Sequence, residues 1–159
     1  MRAIVDSGIP VQGHIGLTPQ HVARFGGFKA QGKNARSAAA LVDEALALEA
    51  AGCFSIVLEA VPHEVAQEIT ARLSIPTIGI GAGPDTDGQG LVYHDILGLF
   101  DRFVPMFVKK FAHLRGESID AVKRYIAEVG EGSFPAEGNF SRMDPEELKR
   151  FKSLLQDKV

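Results

Sequence analysis

The chain has 159 residues, which suits one domain, and its composition of 45% hydrophobic and 23% charged residues is that of an ordinary globular protein. A net charge of −3 argues against a nucleic-acid-binding surface, and no apolar run reaches the roughly 18 residues that a membrane span needs. A single cysteine, Cys53, and the absence of a secretory leader pattern predict a protein of the reducing cytoplasm.

Strand-like and helix-like segments alternate along the first two thirds of the chain. The strand-like runs, which are short and apolar, are residues 9–12, 53–58, 76–80 and 90–93. Apolar stripes of helical period occupy 38–48 and 65–73, and residues 1–8 are typical of the end of a helix. This alternation predicts an α/β fold with a parallel sheet and right-handed crossovers.

The last third of the chain is predicted to be helical. Ile119, Val122, Ile126 and Val129 recur at helical spacing behind Ser118, a good N-cap residue. Asp144, followed by Pro145, predicts the start of a final helix. We therefore expect residues 1–115 to form βα units and residues 116–159 to form a helical extension of the same domain.

The number of strands leaves two architectures open. Only four strand candidates are visible, whereas an eight-stranded α/β barrel typically needs about 250 residues. The chain is therefore either a small open sheet or the second half of a barrel. The helix end at residues 1–8, which lacks a helix start, favours the second alternative.

Two ionisable residues follow successive strand candidates. Glu59 comes directly after the apolar run 53–58, and His14 lies in a glycine-flanked turn after residues 9–12. Ligands bind at the carboxyl ends of parallel strands, and a carboxylate leaving apolar surroundings should have a raised pKa, which suits a general base. The alternative for Glu59 is an acidic residue in the first turn of a helix, and for His14 it is a histidine that satisfies loop carbonyls.

Weaker signals accompany these two residues. Gly79, Gly81 and Gly83 follow a strand and could let an anion approach the backbone, although they do not form a complete dinucleotide-binding motif. Residues 25–33 form a glycine-rich loop with two lysines, which either closes over an acid or is simply solvated. No metal-binding histidine spacing occurs, so we expect no metal site within the chain.

Six blocks of sequence, in this order and spacing, resemble ketopantoate hydroxymethyltransferase. They are GHIGLTPQ (13–20), FGGFKAQG (25–32), DEALALEAAG (43–52), IVLEAVP (56–62), IPTIGIGAG (75–83) and DGQGLVYHD (87–95). The resemblance covers roughly residues 1–135 and leaves the segment after Gly138 unmatched. It implies a (β/α)8 TIM-type barrel of the phosphoenolpyruvate/pyruvate type, of which this chain would be the C-terminal half with four parallel strands and C-terminal helices.

The resemblance also implies an activity. Members transfer a one-carbon unit from 5,10-methylenetetrahydrofolate to 3-methyl-2-oxobutanoate, giving 2-dehydropantoate for pantothenate biosynthesis. Glu59 matches the proton acceptor of the family, and His14 matches a residue that faces the substrate. A magnesium ion polarises the keto acid, and its ligands are expected from strands that precede this chain.

The resemblance begins partway along the family sequence, after the strands that supply these ligands. We therefore expect a truncated chain that is inactive by itself. We expect a homo-oligomer or an N-terminal half of the barrel as its partner, together with a small 2-oxo acid and folate. One alternative is a non-catalytic half-barrel that assembles through its exposed sheet edges. Another is a lyase of the same superfamily, which the succession of IVLEAVP and IGIGAG disfavours.

Overall fold

The computed structural model describes residues 1–18 and 30–156. The chain forms two compact units, Met1–Ala112 and His113–Val159. No helix in the described parts of the chain is both long and apolar enough to span a membrane.

The first unit is α/β, as the alternating pattern predicts. Its elements occur in the order α1 (Arg2–Asp6), β1 (Gln12–Gly16), α2 (Ala35–Ala50), β2 (Ser55–Glu59), α3 (His63–Arg72), β3 (Thr77–Ile80), β4 (Gly88–Gln89) and α4 (Tyr93–Ile96). Asn34 starts α2 with a capping box, in which its side chain accepts a hydrogen bond from the Ser37 N–H at 2.9 Å. The short helix α1 confirms the helix end predicted for residues 1–8.

The four strands form one parallel sheet in the order β1-β2-β3-β4. Side chains alternate between the two faces of a strand, and one face packs against α2 and α3. The buried core on that face and in the adjoining helices and loops consists of Ile15, Leu41, Ala45, Ile56, Leu58, Val61, Ala66, Ile69 and Ala82. The opposite face presents the half-buried side chains of His14, Val57, Glu59, Ile78 and Ile80.

Two of the predicted strands are placed wrongly. The first strand is Gln12–Gly16 instead of 9–12, because these residues pair in register with Ser55–Glu59, and His14 therefore lies within the strand. The fourth strand is only Gly88–Gln89. Residues 90–93 do not continue it, because the Val92 carbonyl accepts the N–H groups of the next turn and starts α4.

The second unit contains α5 (Leu114–Glu131) and α6 (Pro145–Gln156). The prediction that Ser118 caps the first of these helices is wrong, since one more turn precedes it and the N-cap is His113. Leucine, arginine and glutamate favour helix, and a single glycine, Gly116, does not stop it. The predicted start of the last helix is confirmed, because Asp144 Oδ1 accepts the Glu146 N–H at 2.9 Å.

A polar cluster holds the beginning of β3 in the first unit. Thr77 is fully buried, and its hydroxyl lies 2.9 Å from Thr70 Oγ1 on α3. Asp87 Oδ2 accepts the Thr77 N–H at 2.8 Å and lies 3.1 Å from the Thr77 hydroxyl. The cluster therefore joins β3 to α3 and to the loop before β4.

We expect Thr77→Val to lower the free energy of unfolding by about 1–2 kcal/mol, because valine keeps the shape but leaves Asp87 and Thr70 without the hydroxyl. Urea denaturation of the chain measures the change. Ser153→Ala removes an exposed hydroxyl of α6 and serves as the control, with little expected effect. An unchanged midpoint for Thr77→Val would show that the cluster does not stabilise the fold.

Candidate active site

Glu59 is the last residue of β2 and lies at the carboxyl end of the sheet. Its side chain is 14% exposed. Ala60 follows in a left-handed conformation with φ +50°, and its N–H donates to the Ile80 carbonyl at 2.8 Å. A left-handed alanine is strained, and such residues cluster at functional sites. The strand ends at Glu59 because the chain turns at Ala60.

His14 reaches Glu59 from the neighbouring strand. Its Nε2 lies 3.0 Å from Glu59 Oε2, and both side chains are on the face of the sheet opposite the core. This nitrogen is inaccessible to solvent and makes no hydrogen bond within the described residues, so the contact has the distance but not the angle of a hydrogen bond. The structure thus brings both predicted site residues together through an electrostatic contact.

Burial raises the pKa of the Glu59 carboxyl above its ordinary value of 4.5. The electrostatic interaction with the nearby His14 ring acts in the opposite direction and lowers the pKa of Glu59. The balance agrees with the raised pKa expected from the sequence. A carboxylate of this kind is a stronger base near neutral pH than an exposed glutamate.

The backbone beside Glu59 leaves no room for a side chain on β1. Gly16 is paired with Glu59 in the sheet, and a Cβ on Gly16 would lie 2.3 Å from the Glu59 carbonyl oxygen and 2.6 Å from Val61 Cγ2. Its φ of +90° also favours glycine. The Leu17 N–H then donates to the same carbonyl at 2.8 Å, which fixes the end of β2 against the end of β1.

The Glu59 side chain lines a cavity of about 580 Å³, which we call the Glu59 cavity. Most of its wall is apolar and includes Leu17, Ala60, Ile80, Leu99, Phe100 and Phe103. His94 and Asp95 also line it, whereas His14 does not. Within the described residues His14 therefore contacts Glu59 but does not line the cavity, and its role in binding substrate remains a prediction.

Comparison with known proteins places this site in a family. A family model described as ketopantoate hydroxymethyltransferase matches residues 1–137. The chain belongs to the ketopantoate hydroxymethyltransferase family. This result agrees with the resemblance carried by the six sequence blocks and with the ionisable residue at the end of β2.

Curated relatives named 3-methyl-2-oxobutanoate hydroxymethyltransferase match nearly the whole chain. The protein from Nitratidesulfovibrio vulgaris is 57% identical over 155 residues, which is 98% of this chain and 50% of the relative. Those from Clostridium botulinum and Syntrophobacter fumaroxidans are 55% and 54% identical over 94% and 99% of this chain, and 54% and 56% of their own lengths. The chain thus spans about half the length of these relatives. The segment after Gly138, which the sequence blocks left unmatched, is largely included in these matches.

The other sequence candidates are placed as follows. Gly81 packs against the Phe107 ring, since a Cβ there would lie 2.4 Å from ring atoms, so a side chain fills the space beside this glycine. Of the glycine-rich loop, residues 25–29 lie outside the described residues. Within residues 1–18 and 30–156, no three His, Cys, Asp or Glu side chains are close enough to hold a metal ion.

The sequence analysis missed the aromatic wall. Phe100, Phe103 and Phe107 line one or both of the cavities at the carboxyl end of the sheet, although they lie in irregular segments after α4. Phe100, Phe103 and Phe107 recur at i, i+3 and i+7, which is a helical spacing, but Pro105 interrupts the segment and no helix forms there. The density of phenylalanine in a short segment without regular structure is the signal that could have identified a ligand-binding loop.

Gly16→Ala is expected to destabilise the chain more than Gly8→Ala. Both glycines have similar positive φ values, +90° and +85°, but a Cβ on Gly8 meets nothing within 4 Å. Gly8→Ala should cost about 1–2 kcal/mol for the left-handed conformation alone, and Gly16→Ala should cost about 1–3 kcal/mol more. Chemical denaturation of the two variants compares them, and equal losses would contradict the close approach at Glu59.

Glu59→Gln is expected to stabilise the chain at neutral pH. Because the folded-state pKa is raised, the folded chain binds the proton more tightly than the unfolded chain, so stability falls as pH rises from about 4.5 through the raised value. Glutamine removes this loss, and the two proteins should converge at acid pH. Urea denaturation between pH 4 and 8 tests this prediction. Glu44→Gln serves as the control, because Glu44 is an exposed residue of α2. A variant less stable than the parent at neutral pH would contradict the role of burial.

Proposed function

We propose that the chain carries the proton-accepting part of a 3-methyl-2-oxobutanoate hydroxymethyltransferase, with Glu59 as the base. The observation that supports this most directly is a carboxylate with a burial-raised pKa at the end of a parallel strand, lining a largely apolar cavity. Family membership and the names of the relatives agree with it. The donor would be 5,10-methylenetetrahydrofolate and the product 2-dehydropantoate, made for pantothenate biosynthesis in the cytoplasm.

The proposed chemistry begins with proton transfer from carbon. Glu59 accepts the proton from the carbon next to the keto group, and the electron pair of the C–H bond passes into the enolate. The enolate then forms the new C–C bond with the one-carbon unit. Water supplies the hydroxyl oxygen of the product, and tetrahydrofolate is the leaving group. The His14 contact stabilises the charged Glu59 carboxylate, and this stabilisation ends when the carboxyl accepts the proton.

The rest of the site would come from another part of the protein. Within the described residues, β1 is an edge strand of the four-stranded sheet. We propose that this sheet is the C-terminal half of a (β/α)8 barrel, completed by an N-terminal half that also supplies the magnesium ligands, and that the whole is oligomeric.

The alternative function is that of a non-catalytic assembly piece. The unpaired outer edge of β1 favours it, because exposed strand edges pair with other chains. The two proposals differ in what the chain does to the keto acid when the complementary half is supplied. Assembly without chemistry at Glu59 would support the alternative.

The decisive experiment follows deuterium exchange at C3 of 3-methyl-2-oxobutanoate by NMR. The chain is co-expressed with the first half of the Nitratidesulfovibrio vulgaris relative, and the complex is supplied with magnesium in D2O. We expect exchange with the parent chain and at least about a hundredfold loss with Glu59→Gln, because general-base catalysis is typically worth 10²–10⁴-fold. We expect the chain without the complementary half to show little exchange.

Glu44→Gln controls for the change of charge, because Glu44 is exposed on α2, away from the Glu59 cavity. The complex should be checked by size-exclusion chromatography for each variant, so that loss of assembly is not mistaken for loss of the base. If Glu59→Gln assembles and exchanges at the parental rate, another group removes the proton.

A further inference from the structure

A second cavity borders the Glu59 cavity and has no role in the proton transfer. This cavity, which we call the Lys33 cavity, has a volume of about 1110 Å³. Its wall comes from the segments that follow β1, β2 and β3, and includes Lys33, Val61, His63 and Gln89. It therefore lies at the carboxyl end of the sheet, where parallel α/β folds bind their ligands.

The two cavities share part of their walls. Ala30, Met106 and Phe107 line both of them. The Phe107 ring packs directly on the backbone at Gly81, where a Cβ would lie 2.4 Å from ring atoms. This contact fixes a ring that lines both cavities. A ligand in either cavity can thus lie against the same aromatic side chain.

The charges of the two cavities differ. Glu59 and Asp95 give the Glu59 cavity two acids, whereas the described wall of the Lys33 cavity contains no aspartate or glutamate. Its ionisable side chains are Lys33 and His63, and His63 Nε2 contacts the Asp85 carboxylate, which offsets a charge on that ring. Lys33 makes no ion pair among the residues that the structure describes. Its ammonium therefore gives the Lys33 cavity a positive charge that an anionic ligand group can meet.

The sizes of the cavities point to two ligands. Ligand pockets commonly measure about 300–1,000 Å³, so the Glu59 cavity, at about 580 Å³, already has ample room for a small keto acid. The Lys33 cavity is larger. A transfer between two substrates needs their reacting atoms within about 3–3.5 Å, which adjoining cavities with a shared wall permit.

We infer that the Lys33 cavity binds the one-carbon donor, a reduced pterin with a carboxylate-bearing side chain, and that the Lys33 ammonium pairs with a carboxylate of that side chain. The flat ring lies toward Phe107, beside the Glu59 cavity, and the anionic end lies toward Lys33. This inference rests on the proposed function, which requires a donor next to Glu59.

The test measures binding of 5-formyltetrahydrofolate, a stable form of the donor, to the 159-residue chain by isothermal titration calorimetry. Lys33→Gln should weaken binding about two- to fivefold, as expected for an exposed ion pair, and Lys33→Glu should weaken it further. A tetrahydropterin without the glutamate side chain should bind all variants equally. Added salt should weaken binding to the parent chain more than binding to Lys33→Gln.

Lys123→Gln and Lys123→Glu make the same changes of charge on α5, which contributes no residue to the described wall of the Lys33 cavity. They should leave the affinities for 5-formyltetrahydrofolate and for the tetrahydropterin unchanged. The inference is overturned if the parent chain does not bind 5-formyltetrahydrofolate or if the Lys33 variants bind it normally. It is also overturned if they lose affinity for 3-methyl-2-oxobutanoate instead.

The binding result and the exchange result separate the two proposals. If the Lys33 variants weaken folate binding but Glu59→Gln does not slow deuterium exchange, the donor site is supported and the role of Glu59 as the base is contradicted. If Glu59→Gln slows deuterium exchange but the Lys33 variants bind folate normally, the role of Glu59 as the base is supported and the inferred donor site is contradicted.

Discussion

The burial of one carboxyl group at the end of β2 is the constraint on which the rest of the site depends. Removing Glu59 from water raises its pKa, and the fold provides that environment through backbone geometry. Gly16 allows the end of β1 to lie against the Glu59 backbone, and the left-handed Ala60 turns the chain immediately afterwards. The backbone at Gly16 and Ala60 thus shapes the surroundings of the Glu59 side chain.

The two faces of the sheet have different surroundings, and this difference explains where the candidate site lies. The helices α2 and α3 cover the face that carries Ile56 and Leu58, and they form the core of the first unit. The other face carries His14 and Glu59, which are only partly shielded. A carboxylate could not remain in the first environment without a partner, because an isolated buried charge is very costly. The second face leaves Glu59 partly shielded beside the Glu59 cavity. The adjoining Lys33 cavity carries a lysine that makes no ion pair among the described residues.

Much of this arrangement could be predicted from the sequence, and the sheet shows why. Buried parallel strands appear in a sequence as short apolar runs, and amphipathic helices appear as apolar residues of helical period. These patterns therefore predict α2, α3, β2 and β3 close to their observed positions. The errors occurred where residues fit more than one structure. The run 9–12 is as apolar as a strand, but the register with β2 places β1 at Gln12–Gly16. Residues 90–93 also look like a strand, but local hydrogen bonds turn them into α4.

The sequence by itself determined the family, the α/β class and the identity of Glu59 and His14 as the residues to examine, because these depend on local order and spacing. Only the tertiary structure decided that His14 contacts Glu59 without lining its cavity, and that Phe107 lines two cavities with different ionisable residues. These properties depend on which distant segments meet. Sequence spacing records the neighbours along a chain, whereas burial, pKa and the walls of a cavity are set by the neighbours in space.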